Sequence, residues 1–170
     1  MNVDISTESY GSPIARPLTD ALEEELLDRY AGDPGSGGEP DPAVFAAPDG
    51  VFLVGHVDGA AAACGGLCRF DSETAEIRRM YVAPIARGRG VGRLLLGRLL
   101  EAARERGYRR VRLETGNKQA EALALYRSAG FETIPCWGPY VADPKSICLE
   151  TRTDEFSPPP RSDRERRQSP

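Results

Sequence analysis

Two stretches of the chain carry residue types whose spacing suits chemistry. The first is Arg87-Gly88-Arg89-Gly90-Val91-Gly92. Its glycines withhold the Cβ atoms that would keep a ligand from the backbone N–H groups. Arg87, Arg89 and Arg93 add fixed charge and forked donors matched to phosphate oxygens. A helix beginning there leaves its first-turn N–H groups without partners, and its dipole adds partial positive charge. The product is a seat for a phosphorylated ligand such as a diphosphate. Two other phosphate loops fail on spelling. A Walker loop needs Gly-Lys-Ser/Thr, and no Lys stands here. A dinucleotide fingerprint needs glycine at 88, 90 and 93 or at 90, 92 and 95, where this chain has Arg93 and Leu95. The second stretch runs Gln119-x-x-Ala122-x-x-Leu125-Tyr126-x-x-x-Gly130-Phe131 and offers an amide and a phenol.

The elements that must position these residues are legible around them. Ile77, Met80, Tyr81 and Val82 predict a strand over 75–82, which Pro84 stops near Ala83. Val91, Leu94, Leu95, Leu99 and Ala102 recur at the spacing of one helix face, and Gly107 fits its C-terminus. Upstream, Val3 and Ile5 predict a short strand. Leu18, Leu22, Leu26 and Tyr30 predict an amphipathic helix capped by Thr19 or Asp20. Gly32 to Pro42 predicts an exposed loop, either part of a ligand entrance or a plain linker. Strands over 51–57 and 60–70 flank an Asp58-Gly59 hairpin turn. Further strands follow over 109–114, 131–134 and 146–151, with a helix through Ala120, Leu123, Ala124 and Tyr126. Hairpins, then a strand–helix–strand–helix crossover, then a last hairpin make an α+β or mixed α/β three-layer fold.

At this point a family resemblance enters. Arg87-x-x-Gly90-x-Gly92, after a strand ending Met80-Tyr81-Val82, resembles the acetyl-CoA signature of the GNAT acyltransferases. The Gln119–Phe131 motif stands at the distance downstream that the family places it, and the likeness runs from Phe52 to Glu150. It implies a central, mostly antiparallel sheet flanked by helices, with the fourth and fifth strands splayed to admit a pantetheine arm. It implies acetyl-CoA as co-substrate, no metal, and acetyl transfer to an amine by direct attack. Met80, Tyr81, Val82, Arg87, Gly88, Arg89, Gly90, Val91, Gly92 and Gln119 would contact the cofactor. The N–H groups of 80–82 would also serve the oxyanion. One departure is Gln119, where the family usually has Asn.

The same resemblance gives roles to two side chains. Glu76 would be the base for the amine. It precedes Met80 by four positions, which puts both on one strand face; pairing with Arg69 is its structural alternative. Tyr126 would be the acid for the departing thiolate, because a phenol keeps its proton at neutral pH. A core aromatic on an amphipathic helix is its alternative. Tyr10, Tyr30, Phe45, Trp137 and Tyr140 are candidate acceptor-pocket walls.

Composition bounds the rest. A chain of 170 residues suits one domain, read as 1–153 with a disordered Pro- and charge-rich tail over 154–170. No membrane span or signal peptide is read, so a cytoplasmic protein is expected. Cys64, Cys68, Cys136 and Cys148 form no CxxC pair and His56 has no ligand-spaced companion, so reduced thiols and no metal are expected. The net charge of −4 hides an acidic first fifty residues and an arginine-rich run from Arg78 to Arg112. The acidic part would attract a cationic amine, small molecule or peptide. The arginine run lacks the interleaved aromatics of a nucleic-acid surface, and a solvated helix face accounts for it. A homodimer and a non-catalytic acyl-CoA-binding sensor stay open.

Overall fold

The computed structural model describes residues 1–155, so the tail expected from 154 lies, but for its first two residues, outside the described residues. In chain order the elements are β1 (Val3–Thr7), α1 (Arg16–Arg29), β2 (Val51–Val57), β3 (Ala60–Arg69), β4 (Thr74–Val82), α2 (Val91–Glu105), β5 (Arg110–Gly116), α3 (Ala120–Ser128), β6 (Glu132–Ile134) and β7 (Ser146–Arg152). The seven strands form one sheet in the order β1-β2-β3-β4-β5-β7-β6. Every neighbouring pair is antiparallel except β4 and β5, which the α2 crossover makes parallel. The β2–β3 turn works because Asp58 and Gly59 both take positive φ, 50° and 88°, as a two-residue hairpin of this hand requires.

Helices cover both faces. On one, Leu95, Leu96, Leu99 and Leu100 of α2 and Leu123 and Tyr126 of α3 bury against Ile77, Val111, Leu113 and Leu149. Each such leucine contributes roughly 1.5–3 kcal/mol of burial. On the other, Leu18 and Leu22 of α1 meet Phe52, Val54, Cys64, Cys68 and Tyr81. The α1 boundary corrects the expected cap. The helix starts beyond Ala15 with Pro17 in its first turn, a position where the missing N–H costs nothing. Thr19 lies inside it and returns its hydroxyl to Arg16 O.

Cysteine usage needs a larger correction. Cys64 and Cys68 are free and buried as expected, but Cys136 and Cys148 form a disulfide. The β6–β7 register sets Ile134 opposite Cys148, which brings Cys136, two residues on, within reach. Spacing in the chain carries no sign of a pairing that strand register makes.

Two irregularities in β4 shape everything that follows. First, β4 and β5 pair only from Thr74–Arg110 to Ile77–Leu113. Beyond that, β4 follows β3 as far as Val82 opposite Ala63, while β5 follows β7 as far as Gly116 opposite Ser146. The strands part, and a wedge opens in mid-sheet. Second, Arg79 and Met80 together face the single residue Gly65, a β-bulge with Arg79 at φ 57°. The bulge shifts the side-chain alternation by one. Glu76, opposite Cys68, faces the α1 side, whereas Met80 packs on the α2 side with Ile77. The two therefore do not share a face, contrary to the four-residue spacing.

Candidate active site

The wedge joins two cavities. The larger, ≈ 600 Å³, lies between α1, the start of α2 and α3, and includes Val82, Arg87, Gly88, Gly90 and Leu125. The smaller, ≈ 170 Å³, lies on the α1 side of the sheet among Glu76, Arg78, Glu114 and Tyr140. Met80, Gln119 and Tyr126 line both. Leu22 and Leu26 of α1 line both as well, so a reactant in one meets a reactant in the other at the wedge, beneath α1.

The larger cavity is bordered by the glycine-rich turn and the start of α2. Gly88 (φ 70°) and Gly90 (φ 79°) take the left-handed conformation, and a Cβ on either would meet nothing within 4 Å. Both stand open to a ligand. Gly92 differs: its Cβ would lie 3.3 Å from Leu125 and 3.4 Å from Val82, so its smallness serves helix packing. Leu94 is the first residue of α2 to close a helical hydrogen bond, onto Gly90 O at 3.0 Å. The N–H groups of Val91, Gly92 and Arg93 are those a helix start leaves over. On β4, Ala83 N–H donates to Ala62 O on the β3 side. Alternation then turns the N–H of Val82, and of Met80, toward the wedge, while that of Tyr81 faces β3.

The arginines are placed differently from what spacing predicts. Arg87 turns back from the glycines. It donates through Nε to Val82 O at 2.8 Å and through a terminal nitrogen to Glu25 of α1, with its guanidinium 5.7 Å from the Tyr81 ring. Glu25 also holds Arg29 at 2.9 Å. Arg93 reaches Ser128 at 3.0 Å, and Arg89 is exposed at the loop.

Chemistry converges on the smaller cavity. Tyr126 is buried, with its ring 5.7 Å from Phe131. Burial first, and the Glu114 carboxylate second, push its phenol well above the usual range, so it stays a donor at any physiological pH. Burial likewise raises the Glu76 carboxyl against the pull of Arg78 and Arg112. Its ion-pair contact is Arg78 Nε at 4.0 Å; Arg69 instead pairs with Asp49 at 3.7 Å. Gln119 opens α3, and its Nε2 would lie 3.0 Å from a Cβ at Gly116. That same Cβ would come within 1.9 Å of the Tyr30 hydroxyl, so Gly116 must be glycine for α1 to close on β5.

Sequence reasoning missed Glu114. It is raised by burial and by Asp143 and Glu76, and accepts a hydrogen bond from Ser146 Oγ at 2.9 Å. Its only signal was an acid at the end of a strand expected beside the wedge. The loop over 32–41 does line this cavity, fastened by Arg78 to Gly37 O (2.8 Å), Ser36 to Asp143 (2.6 Å) and Lys145 to Asp33 (2.7 Å). Of the five aromatics, Tyr30 and Tyr140 line it. Tyr10 and Phe45 belong to the core around Phe52, and Trp137 stacks outside against Tyr140 and Phe70.

A sheet parted between two parallel strands, beside a glycine-led helix start, is the architecture of an acyl-CoA acyltransferase. Known proteins agree. The profile of the acetyltransferase (GNAT) family matches residues 17–131, and the chain belongs to that family. It is 41% identical over 156 residues to the IAA acetyltransferase of Azospirillum brasilense, covering 88% of this chain and 97% of that protein. A solved Klebsiella pneumoniae protein assigned as an acyl-CoA N-acyltransferase is 27% identical, with a TM-score of 0.75 over 89% of this chain and 97% of its own. A GNAT acetyltransferase from Elizabethkingia anophelis, solved with acetyl-CoA bound, shares the fold at a TM-score of 0.63 and 23% identity, over 89% and 98% of the two chains. No helix among the described residues is long and apolar enough to cross a membrane, and no group of acids, histidines and cysteines there is arranged to hold a metal.

Proposed function

We propose that this acetyltransferase moves an acetyl group from acetyl-CoA to the nitrogen of an amine by direct attack. One observation carries the reading: the cavity that suits the thioester and the cavity that suits the acceptor share a border at the wedge, lined by Met80, Gln119 and Tyr126 with Leu22 and Leu26 of α1 above them. The left-over N–H groups of 91–93 and the open glycines 88 and 90 would take the diphosphate. The N–H groups of Met80 and Val82 would take the pantetheine arm and the charge developing on the carbonyl oxygen.

In the transfer, the amine nitrogen bonds to the thioester carbonyl carbon and the carbon–sulfur bond breaks. The amine's proton passes to a carboxylate, Glu76 with Glu114 beside it, directly or through water. Desolvation makes both stronger bases than exposed glutamates. The sulfur takes the proton of the Tyr126 hydroxyl, and the proton held by the carboxylate returns to that phenolate through water. Amine and thioester become amide and thiol, with no other reactant.

The test is thiol release from acetyl-CoA against a panel of amines, with mass spectrometry of the products. A mass gain of one acetyl group on nitrogen is expected. Tight acetyl-CoA binding without release for any amine would leave an acyl-CoA-binding sensor instead.

A further inference from the structure

Charge in the acceptor cavity is unevenly paired. Its walls and roofing loop carry Asp33, Glu39, Glu76, Glu114 and Asp143 against Arg78, Arg79 and Lys145. All three cations are engaged. Arg79 donates to Glu39 at 2.7 Å and to Gly38 O at 3.1 Å. Lys145 sits between Asp33 at 2.7 Å and Asp143 at 3.1 Å. Arg78 gives its terminal nitrogen to the carbonyls of Gly37 and Gly38, which leaves only the long Nε contact to Glu76. Arg112, beside Glu76 in the β4–β5 register, is turned to Glu150 at 2.8 Å and lies over the Phe70 ring at 4.2 Å. Glu114 has the Ser146 hydroxyl and, among the described residues, no cation within ion-pair distance.

Two half-buried carboxylates on adjacent strands are thus short of counter-charge. Glu76 and Arg112 are register partners, and Glu114 is two residues past Arg112, so both acids face the α1 side. The cavity they share holds roughly six water-sized volumes. Leu22 and Leu26 of α1 wall the space above them, and Tyr140 lines it too. Burying two such acids together is costly unless positive charge arrives with the ligand.

We propose that the acceptor is a short dication, a linear aliphatic diamine or an amine of similar size with a second cationic nitrogen, seated on Glu76 and Glu114 together. The assignment rests on the amine-acetylation reading and narrows it. One nitrogen lies toward the wedge, releases its extra proton to solvent through water, attacks as the neutral amine and passes a second proton to the nearer carboxylate. The other keeps its proton and its ion pair through the transfer, and so anchors a chain short enough for the cavity. A ligand with its own carboxylate would put a third acid in this space and is excluded by repulsion.

The experiment compares 1,4-diaminobutane, 1-aminopentane and 4-aminobutanoate as acceptors for the full chain with acetyl-CoA. The diamine is expected to exceed the monoamine at least tenfold in kcat/KM, and 4-aminobutanoate to be the poorest. Glu76→Gln and Glu114→Gln should each cut the diamine-to-monoamine ratio to within about threefold. The ratio is read on variants whose circular dichroism matches the wild type, so a folding defect cannot be what holds it constant. A wild-type ratio near one, or a ratio untouched by both substitutions, overturns the dication seat. Calorimetry with the diamine on CoA-loaded protein reads the seat without turnover. Heat with the diamine and none with the monoamine supports it even if no acetyl group moves, in which case only the transfer reading fails. No heat with the diamine overturns the seat.

Discussion

Tyr126 and the two glutamates respond to burial in opposite functional senses. For the phenol, a raised pKa preserves the proton to be given; for the carboxylates, it strengthens the form that accepts one. Removing the hydroxyl leaves the ring's packing on Phe131 intact. Tyr126→Phe is therefore expected to lower kcat about 10²-fold with little change in acetyl-CoA KM, measured by steady-state thiol release. Equal turnover would take the phenol out of the mechanism. The carboxylates predict a pH effect. The base must be ionised, and its folded pKa is raised, so kcat/KM should fall on the acid side at a pH above the ordinary glutamate range. An acid limb at or below that range would count against both acids as bases. Stability runs the other way: these groups contribute most while protonated, below their unfolded pKa, and that contribution is lost as pH rises through the folded value. Of these residues, Tyr126 was singled out by the second motif and Glu76 by the family resemblance, while the face shared with Met80 that spacing suggested is undone by the bulge. Glu114 was not legible, because its burial comes from β7 and the roofing loop.

At the scale of elements, α2 and β4 do most to make the site. The start of α2 depends on Gly90, whose left-handed φ of 79° costs an alanine about 1–2 kcal/mol. Nothing crowds the position, so Gly90→Ala should fold, yet tilt the first-turn N–H groups from their aim. A roughly tenfold loss of acetyl-CoA affinity by calorimetry is expected, with Tm lowered by only a few degrees. Unchanged affinity would remove this helix start from the phosphate seat. The existence of α2 and β4 could be read from periodicity and from Pro84. The bulge at Arg79–Met80 could not. An extra residue in a ladder is visible only against its partner, and here that partner is Gly65, an ordinary member of a small-residue strand.

The whole molecule is tied together across the sheet. Charges that look concentrated in the chain are dispersed in space: Arg87 and Arg29 meet Glu25, Arg79 meets Glu39, and Arg109 and Arg110 meet Glu73. Part of the basic run is thereby paired with acids from other elements and is not a solvated face alone. The Cys136–Cys148 bridge closes a short loop that delivers Tyr140, Asp143 and Lys145 to the acceptor cavity. Reducing it is expected to cost about 3 kcal/mol and to lower Tm by roughly 5–10 °C. It should also raise the acceptor KM while leaving acetyl-CoA affinity alone. A Cys136→Ser variant that matches the oxidised protein in Tm and in both constants would show the bridge to be idle. By itself, the sequence determined the strand–loop–helix that offers amides to phosphate, the second motif with its phenol, and hence the family, because these are local patterns of backbone freedom and periodicity. Tertiary structure alone decided the bulge, the disulfide, the turning of Arg87 to Glu25 and the pairing of Glu76 with Glu114. Each depends on which strand lies beside which, and in what register, and no run of neighbouring residues encodes that by its spacing.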